Sequence, residues 1–218
     1  MARRGLGALL VVLGAITVCL ANPDLDRVVE LAREHYGIHA AQTVDTWRDL
    51  VETNRDLPEL EKLELVNTFF NHNVDFEPDA LVWGRTDYWA TPLETLGRGQ
   101  GDCEDYSIGK YVTLGLLGVP IERLRITYVR AETGLPGSGV VQAHMVLAYY
   151  PEPGAEPLIL DNLVGQLRRA SHRPDLKPVF GFNSEGLWVA GKKALADPTA
   201  RLSRWRDLLR RMNDQGLN

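Results

Sequence analysis

The chain has 218 residues, a hydrophobic fraction of 44%, a charged fraction of 24% and a formal net charge of −5. These values are ordinary for a globular domain, and they exclude a disordered, collagen-like or coiled-coil chain. The pI of about 5.6 argues against a nucleic-acid partner, because phosphate groups are bound by basic surfaces. The two cysteines are too few for a scaffold held together by disulfides.

The first 21 residues have the three-part pattern of a secretory signal peptide. Arg3 and Arg4 precede an uncharged apolar run over residues 6–20, and small residues stand at the positions that define a cleavage site after Ala21. The run is shorter than the roughly 20 residues that span a bilayer. We therefore expect an exported protein with a signal peptide over residues 1–21, and an uncleaved N-terminal anchor is the alternative.

Cleavage at this site would leave the mature chain with a single thiol. Cys19 lies in the removed segment, so Cys103 remains as the only cysteine. A lone thiol in an oxidising compartment forms no intramolecular disulfide. Cys103 is therefore either a buried, inert cysteine or a reactive one.

Helical periodicity dominates the first part of the mature chain. Apolar residues at helical spacing predict helices over residues 24–54, with a break at Gly37, and a further helix that begins at Pro58. Residues 77–101 show no clear period and end in a glycine cluster, which predicts a loop. We expect residues 22–78 to form a helical N-terminal lobe.

The second part of the chain changes from helical to strand periodicity. A helix is predicted from Asp102 to the stop at Gly118-Val119-Pro120. The segments that follow are predicted as strands over residues 124–129, 142–150, 157–163, 179–182 and 186–190, and as a last helix over residues 198–212. This order predicts an α+β domain, with a core over residues 79–218.

The only mature thiol lies at the start of the predicted helix, in the segment Gly101-Asp102-Cys103-Glu104-Asp105. A helix N-terminus carries partial positive charge and free N–H groups, which favour a thiolate and stabilise a developing oxyanion. This placement favours a catalytic role for Cys103 over that of a buried structural cysteine.

A histidine and an aspartate interrupt two of the predicted strands. His144 lies in the central strand and Asp161 in the next one. A buried carboxylate is costly unless it is paired, and a neighbouring imidazole satisfies it. Such a pair would orient the imidazole toward Cys103, as catalysis by a thiol requires. The alternative for His144 is a core histidine with satisfied hydrogen bonds.

The acidic residues beside the thiol oppose thiolate formation. Asp102, Glu104 and Asp105 would raise the pKa of Cys103. A bound hard cation would offset their charge, and calcium prefers carboxylate oxygens and is available outside the cytoplasm. A calcium site is therefore one interpretation of this cluster, and helix capping is the alternative for one or two of its members.

These features together resemble the bacterial transglutaminase-like cysteine proteinases, and among them the LapG-type periplasmic proteases. The resemblance extends over nearly the whole mature chain. The segments that carry it are Trp89-Ala90-Thr91-Pro92 with Glu94, residues 99–106, Lys110-Tyr111, residues 124–129, residues 143–147, residues 160–163, residues 175–179 and Gly186-Leu187-Trp188.

The resemblance implies a papain/transglutaminase-like core, with the nucleophile helix packed on an antiparallel sheet, and a helical N-terminal lobe. It implies that Cys103 is the nucleophile, His144 the base and Asp161 the orienting acid. It also implies bound calcium. Its ligands would be Asp102 and Glu104, with Asp105 as a further candidate. The oxyanion donor besides the Cys103 amide is not identified by the motifs, and Trp89 and Gln100 are candidates.

The function that the resemblance implies is calcium-dependent proteolysis in the periplasm. Such proteases cleave the N-terminal region of a large repeat-containing surface adhesin at a di-alanine sequence, which releases the adhesin and promotes biofilm dispersal. The periplasmic domain of an inner-membrane cyclic di-GMP receptor sequesters them. Two alternatives remain from the residues themselves: another thiol acyl-transfer enzyme, such as a transglutaminase, deamidase or peptidoglycan amidase, and a calcium-dependent binding module with an inactive site.

Overall fold

A computed structural model describes residues 23–134, 139–189, 191–194 and 197–217. The predicted signal peptide, including Cys19, lies outside these residues. Within the described ranges, none of the helices has the length and apolar character needed to cross a membrane.

Three helices form the first part of the fold: α1 (Leu25–Tyr36), α2 (Ile38–Thr53) and α3 (Glu59–Asn73). Gly37 separates the first two with a φ of 91°, in the region that side chains disfavour. The predicted break is therefore confirmed. The apolar faces of all three helices join the same core as the later helices and the sheet.

The stretch predicted as a loop over residues 77–101 contains two short helices, so that prediction was wrong in part. These are α4 (Asp79–Val82) and α5 (Pro92–Arg98). α5 begins with a capping box, in which the Thr91 side chain accepts the Glu94 N–H and the Glu94 carboxylate accepts the Thr91 N–H. A helix of 7 residues is too short to show an apolar period, which is why the pattern missed it.

A two-stranded parallel sheet connects the N-terminal helices to the chain just before Cys103. Its strands are β1 (Asp75–Phe76) and β2 (Gln100–Gly101). The Glu77 N–H extends this pairing by donating to the Gly101 carbonyl at 3.0 Å. The backbone that leads into Cys103 is thereby held by residues that follow α3.

The helix that begins at Cys103, α6 (Cys103–Leu116), packs between α3 and the main sheet. Lys62 of α3 secures its far end, where Nζ donates to the Leu117 carbonyl at 2.9 Å. A cation there is favourable because the last carbonyls of a helix carry partial negative charge. Gly118, with a φ of 82°, then turns the chain away, as predicted.

The main sheet has seven strands in the described residues, and every neighbouring pair is antiparallel. Its order is β6-β5-β4-β3-β7-β8-β9. The strands are β3 (Leu124–Glu132), β4 (Val141–Tyr149), β5 (Leu158–Leu160), β6 (Arg168–Arg169), β7 (Leu176–Asn183), β8 (Gly186–Val189) and β9 (Lys192–Ala194). The predicted α+β order of helices before strands is confirmed.

The strand predicted over residues 157–163 is shorter in the structure. β5 ends at Leu160, and Asp161 begins a turn in which its Oδ1 accepts the Leu163 N–H at 3.1 Å. Aspartate favours such turns because its side chain can hydrogen bond to the backbone two residues on. The correction places Asp161 at the end of a strand, where its carboxylate can reach several partners.

The single C-terminal helix predicted from the sequence is divided at Leu202 into α7 (Pro198–Arg201) and α8 (Ser203–Asp214). α8 packs on the sheet through Trp205, whose ring lies 5.2 Å from that of Phe182 at 73°. α8 therefore contributes to the core next to α6, where the rings of Trp205 and Tyr111 lie 5.7 Å apart.

Candidate active site

The start of α6 holds Cys103 in a fixed backbone frame. The Asp102 side chain accepts the Glu104 N–H at 3.3 Å, and the Asp105 side chain accepts the Asp102 N–H at 3.4 Å. This is a capping box, which satisfies amides that a helix start leaves unpaired. A Cβ on Gly101 would lie 2.7 Å from Oδ2 of Asp105, so glycine is needed there to admit the carboxylate.

The thiol of Cys103 is held by its own neighbours. It donates to Oε2 of Glu104 at 2.7 Å. Burial raises the pKa of Cys103 far above that of a free thiol, and the negative charges of Glu104 and Asp102 raise it further. A hydrogen bond from the Met145 backbone acts in the opposite direction but does not outweigh them. In this state the sulfur carries its proton.

The predicted pairing of His144 with Asp161 is present. Nε2 of His144 lies 2.8 Å from Oδ1 of Asp161, and both side chains are buried. This bond leaves Nδ1 of the imidazole as the nitrogen available for proton transfer. Met145, whose backbone contacts the sulfur of Cys103, is the next residue along β4. Among the hydrogen bonds of the described residues, none joins Cys103 to His144.

Asp161 is ionised because three donors surround its carboxylate. Burial by itself would raise the pKa of Asp161. The hydrogen bond and charge of His144, the Leu163 amide and Arg173 outweigh burial and lower this pKa to about 2. Nη2 of Arg173 donates to Oδ2 at 2.8 Å. The carboxylate thus offers fixed negative charge to the imidazole.

Arg173 is a functional candidate that the sequence patterns missed. It is 4% exposed and also bonds Asp175, with Nε 3.0 Å from Oδ1 and Nη2 2.8 Å from Oδ2. A signal did exist, because a buried carboxylate has more lone pairs than one imidazole satisfies. The need for a second donor at Asp161 predicts a nearby cation, but does not identify which one.

A fourth carboxylate joins the predicted acidic cluster. Oxygens of Asp79, Asp102 and Asp105 lie within 4.8 Å of one another, and Glu104 adjoins them in a second group with Asp102. Asp79 is 5% exposed, and its Oδ1 has no hydrogen-bond partner among the described residues. Its other oxygen accepts the Tyr88 N–H. No local pattern connects Asp79 to Cys103, so only the fold reveals it.

The cluster carries more negative charge than its burial supports. Burial, together with the negative charges of Glu104 and Asp105, raises the pKa of Asp102 to about 9. Burial likewise raises the pKa of Asp105 well above its usual value and that of Asp79 above its own. A hard divalent cation fits these residues, because it prefers carboxylate oxygens and would use the unpartnered Oδ1 of Asp79.

The C-terminal helix α8 fixes the segment over residues 88–94, which lies opposite the start of α6. Arg211 of α8 donates to the Glu94 carboxylate, and its guanidinium lies 4.5 Å from the Tyr88 ring centroid. The hydroxyl of Tyr88 donates to Oε1 of Glu94 at 3.0 Å. This arrangement holds the Ala90 N–H against Oδ1 of Asp105, at 2.7 Å. Arg211 and Glu94 thus support the acidic cluster from outside.

The two candidates for a second oxyanion donor differ in their surroundings. Trp89 stacks on Phe182 with ring centroids 5.5 Å apart at 11°, so its indole ring packs against β7. Trp89 stays a candidate for the oxyanion donor. Gln100 is half-buried in β2, three residues before Cys103, and stays a candidate.

The sequence matches the model of the family described as bacterial transglutaminase-like cysteine proteinase, BTLCP, over residues 38–174. The matched range contains the thiol, the His–Asp pair, the acidic cluster and Arg173. The chain belongs to this family. Cysteine proteinases are the class of enzyme that the family name describes, which agrees with the class predicted from the motifs.

Solved structures of a BTLCP relative share the fold. Legionella pneumophila LapG is 41% identical and covers 86% of this chain and 97% of its own, with a TM-score of 0.73. An EGTA-treated form gives a TM-score of 0.74 and a calcium-bound form 0.72, both at 41% identity. The predicted transglutaminase-like architecture, with the helix that begins at Cys103 packed on an antiparallel sheet, is therefore confirmed. A comparison with curated protein sequences finds no match.

Proposed function

We propose that the protein is a calcium-dependent cysteine endopeptidase of the periplasm, with Cys103 as nucleophile, His144 as base and Asp161 as orienting acid. The observation that carries the proposal is the buried His144–Asp161 pair, at 2.8 Å, on the strand whose next residue contacts the thiol. Membership of the BTLCP family and the likeness to LapG support it.

The proposed reaction is an acyl transfer to water. His144 takes the proton of Cys103, and the sulfur attacks the scissile carbonyl to form a C–S bond. The protonated His144 then gives its proton to the departing amine as the peptide bond breaks. Water, with its proton taken by His144, hydrolyses the thioester and restores the thiol. Asp161 stays ionised and stabilises the imidazolium, while the Cys103 N–H stabilises the oxyanion.

Calcium is the proposed cofactor, and the acidic cluster is its proposed site. Asp102 and Glu104 would hold the ion, together with Asp79 and its unpartnered Oδ1. Asp105 already accepts two backbone N–H groups, so its oxygens would be shared between the cation and the frame of the helix start. When bound, the cation supplies positive charge beside the thiol. The calcium-bound form of Legionella LapG supports this choice of metal.

The proposed substrate is a large repeat-containing surface adhesin, cut in its N-terminal region at a di-alanine sequence. Release of the adhesin would disperse a biofilm. The proposed regulator is the periplasmic domain of an inner-membrane cyclic di-GMP receptor, which would sequester the protease. The signal-peptide pattern of residues 1–21 and the likeness to LapG support this role.

The test uses the purified mature chain and an N-terminal adhesin fragment from the same cell that contains the di-alanine sequence. Mass spectrometry of the products should show two fragments whose masses sum to the substrate plus one water, in calcium but not in excess chelator. Cross-linked product would identify a transglutaminase, and a mass change at glutamine would identify a deamidase. No reaction by the calcium-loaded protein would favour a binding module.

A further inference from the structure

A buried lysine lies on the nucleophile helix, two turns after Cys103 and on the same face. Lys110 is 1% exposed, and its Nζ donates to Oδ1 of Asn71 at 2.8 Å and lies 5.6 Å from the Tyr106 ring centroid. Burial lowers the pKa of Lys110 to about 7, although the charge of Asp161 opposes this. An apolar side chain would fill such a position at lower cost, so the amine requires a role beyond packing.

Asn71 continues the contact from Lys110 to the candidate triad. Its Nδ2 donates to the backbone carbonyl of Asp161 at 2.9 Å. Asn71 belongs to α3, Lys110 to α6, and Asp161 to the turn after β5, so three elements meet at this amide. Arg173 and the Leu163 amide hold the carboxylate of Asp161, whereas Asn71 holds its backbone.

We propose that Lys110 and Asn71 form a positioning relay that fixes the backbone of Asp161 relative to the nucleophile helix. The helical N-terminal segment would then help to set the His144–Asp161 geometry. The inference rests on the proposed triad. Neither relay residue touches the reacting atoms, so both act through Asp161. A displacement of about 1 Å in a catalytic constellation can cost on the order of 100-fold in rate.

The test separates position from stability through Asn71→Asp. Aspartate keeps an acceptor for Lys110 and adds an ion pair, but it removes the donor to the Asp161 carbonyl. We expect kcat for the adhesin fragment to fall about 10- to 100-fold, while KM changes less than about two-fold and Tm stays near that of the wild type. Hydrogen exchange at the Leu163 amide should accelerate, because the turn that begins at Asp161 loses its anchor.

The matched control is Lys62→Met. Lys62 is also a buried lysine that joins α3 to α6, but it binds the Leu117 carbonyl at the far end of the helix. This variant should lower Tm without changing kcat or exchange at Leu163. The proposal is overturned if Asn71→Asp leaves kcat and Leu163 exchange unchanged, or if Lys62→Met lowers kcat as much as Asn71→Asp does.

Two further measurements keep the test decisive. If Asn71→Asp does not fold, Lys110→Met is tested in its place. This change removes the hydrogen bond to Asn71 but leaves an unbranched side chain of similar length. Unchanged exchange at the Leu163 amide in Lys110→Met overturns the relay. Failure of the wild-type chain to cleave would count against the proposed function instead. Exchange at Leu163 needs no activity, so it still tests the relay in that case.

Discussion

Sγ of Cys103 lies 2.7 Å from Oε2 of Glu104, and the thiol donates to that carboxylate. This hydrogen bond uses the thiol proton, which the proposed reaction must transfer to His144. It also places negative charge where a thiolate would form, which opposes ionisation. The same carboxylate belongs to the acidic cluster, so a cation bound there would act on the residue that restrains the nucleophile.

Glu104→Gln should make the thiol more reactive in the absence of calcium. The change removes the largest charge effect on the Cys103 pKa, although burial still raises it. We expect alkylation by iodoacetamide at pH 7 in chelator to accelerate at least about ten-fold, which corresponds to roughly one pKa unit. Glu122→Gln, which alters an exposed acid far from the site, is the control. Equal alkylation rates in both variants would contradict the role assigned to Glu104.

Arg173→Met should impair both stability and activity. It leaves the buried Asp161 carboxylate without its guanidinium partner, and loss of one member of a buried ion pair typically costs about 3–5 kcal/mol. We expect a loss of that order in urea denaturation and a lower kcat. Arg173→Lys should not restore either value, because one ammonium cannot reproduce the contacts to Asp161 and Asp175. Full rescue by lysine would show that charge alone is sufficient.

The stability of the calcium-free protein should fall as pH rises. The folded-state pKa of Asp102 is about 9, and burial also raises the pKa values of Asp79 and Asp105. The unfolded chain releases these protons near pH 4, whereas the folded chain retains them to higher pH. The contribution of Asp102 to stability is therefore full below about pH 4 and is lost as the pH rises to about 9, and Asp79 and Asp105 act in the same direction. Thermal unfolding in chelator from pH 5 to 9 measures this decline.

Calcium should remove much of that pH dependence, because it binds the ionised carboxylates. An ion at 100 times its Kd stabilises the folded state by about 2.7 kcal/mol. The increase in Tm on adding calcium should therefore be larger at pH 8 than at pH 5. An equal increase at both pH values would mean that the ion binds away from Asp79, Asp102 and Asp105.

Asp79→Asn should stabilise the calcium-free protein and weaken its binding of calcium. It removes a buried carboxylate whose Oδ1 has no partner among the described residues, so the calcium-free protein should become more stable. It also removes a proposed ligand, so calorimetry should show weaker calcium binding, by about ten-fold or more. Asp75→Asn, at an exposed acid in β1, is the control. Unchanged calcium affinity in Asp79→Asn would exclude this residue from the site.

Much of the fold follows from local patterns in the sequence. The break at Gly37, the start of α6 at the Asp102 cap and the strands that follow are set by backbone chemistry and apolar period. The short helix α5 was not predicted because 7 residues cannot show an apolar period, although the sequence contains its capping-box residues Thr91 and Glu94. β6 and β9 were not predicted for the same reason, because strands of two or three residues are too short to show an alternating pattern.

Some residues of the candidate site could likewise be predicted from the sequence, and others could not. His144 and Asp161 were predictable because each interrupts an apolar segment, where a polar group requires a partner. Asp79, Arg173 and Lys110 were not, because their partners lie far along the chain or, for Arg173, are shared between a near and a distant acid. Such contacts depend on how α3, α6 and the sheet pack together.

The most direct test of the account is the initial rate of adhesin-fragment cleavage by the wild-type chain and by Cys103→Ala, each in saturating calcium and in excess chelator. We predict that the wild type cleaves the fragment in calcium but not in chelator, and that Cys103→Ala cleaves it in neither. The circular dichroism and Tm of Cys103→Ala should match those of a folded protein. Cleavage by Cys103→Ala at the wild-type rate would contradict the assignment of the nucleophile. Equal wild-type rates in calcium and in chelator would contradict the role of the metal.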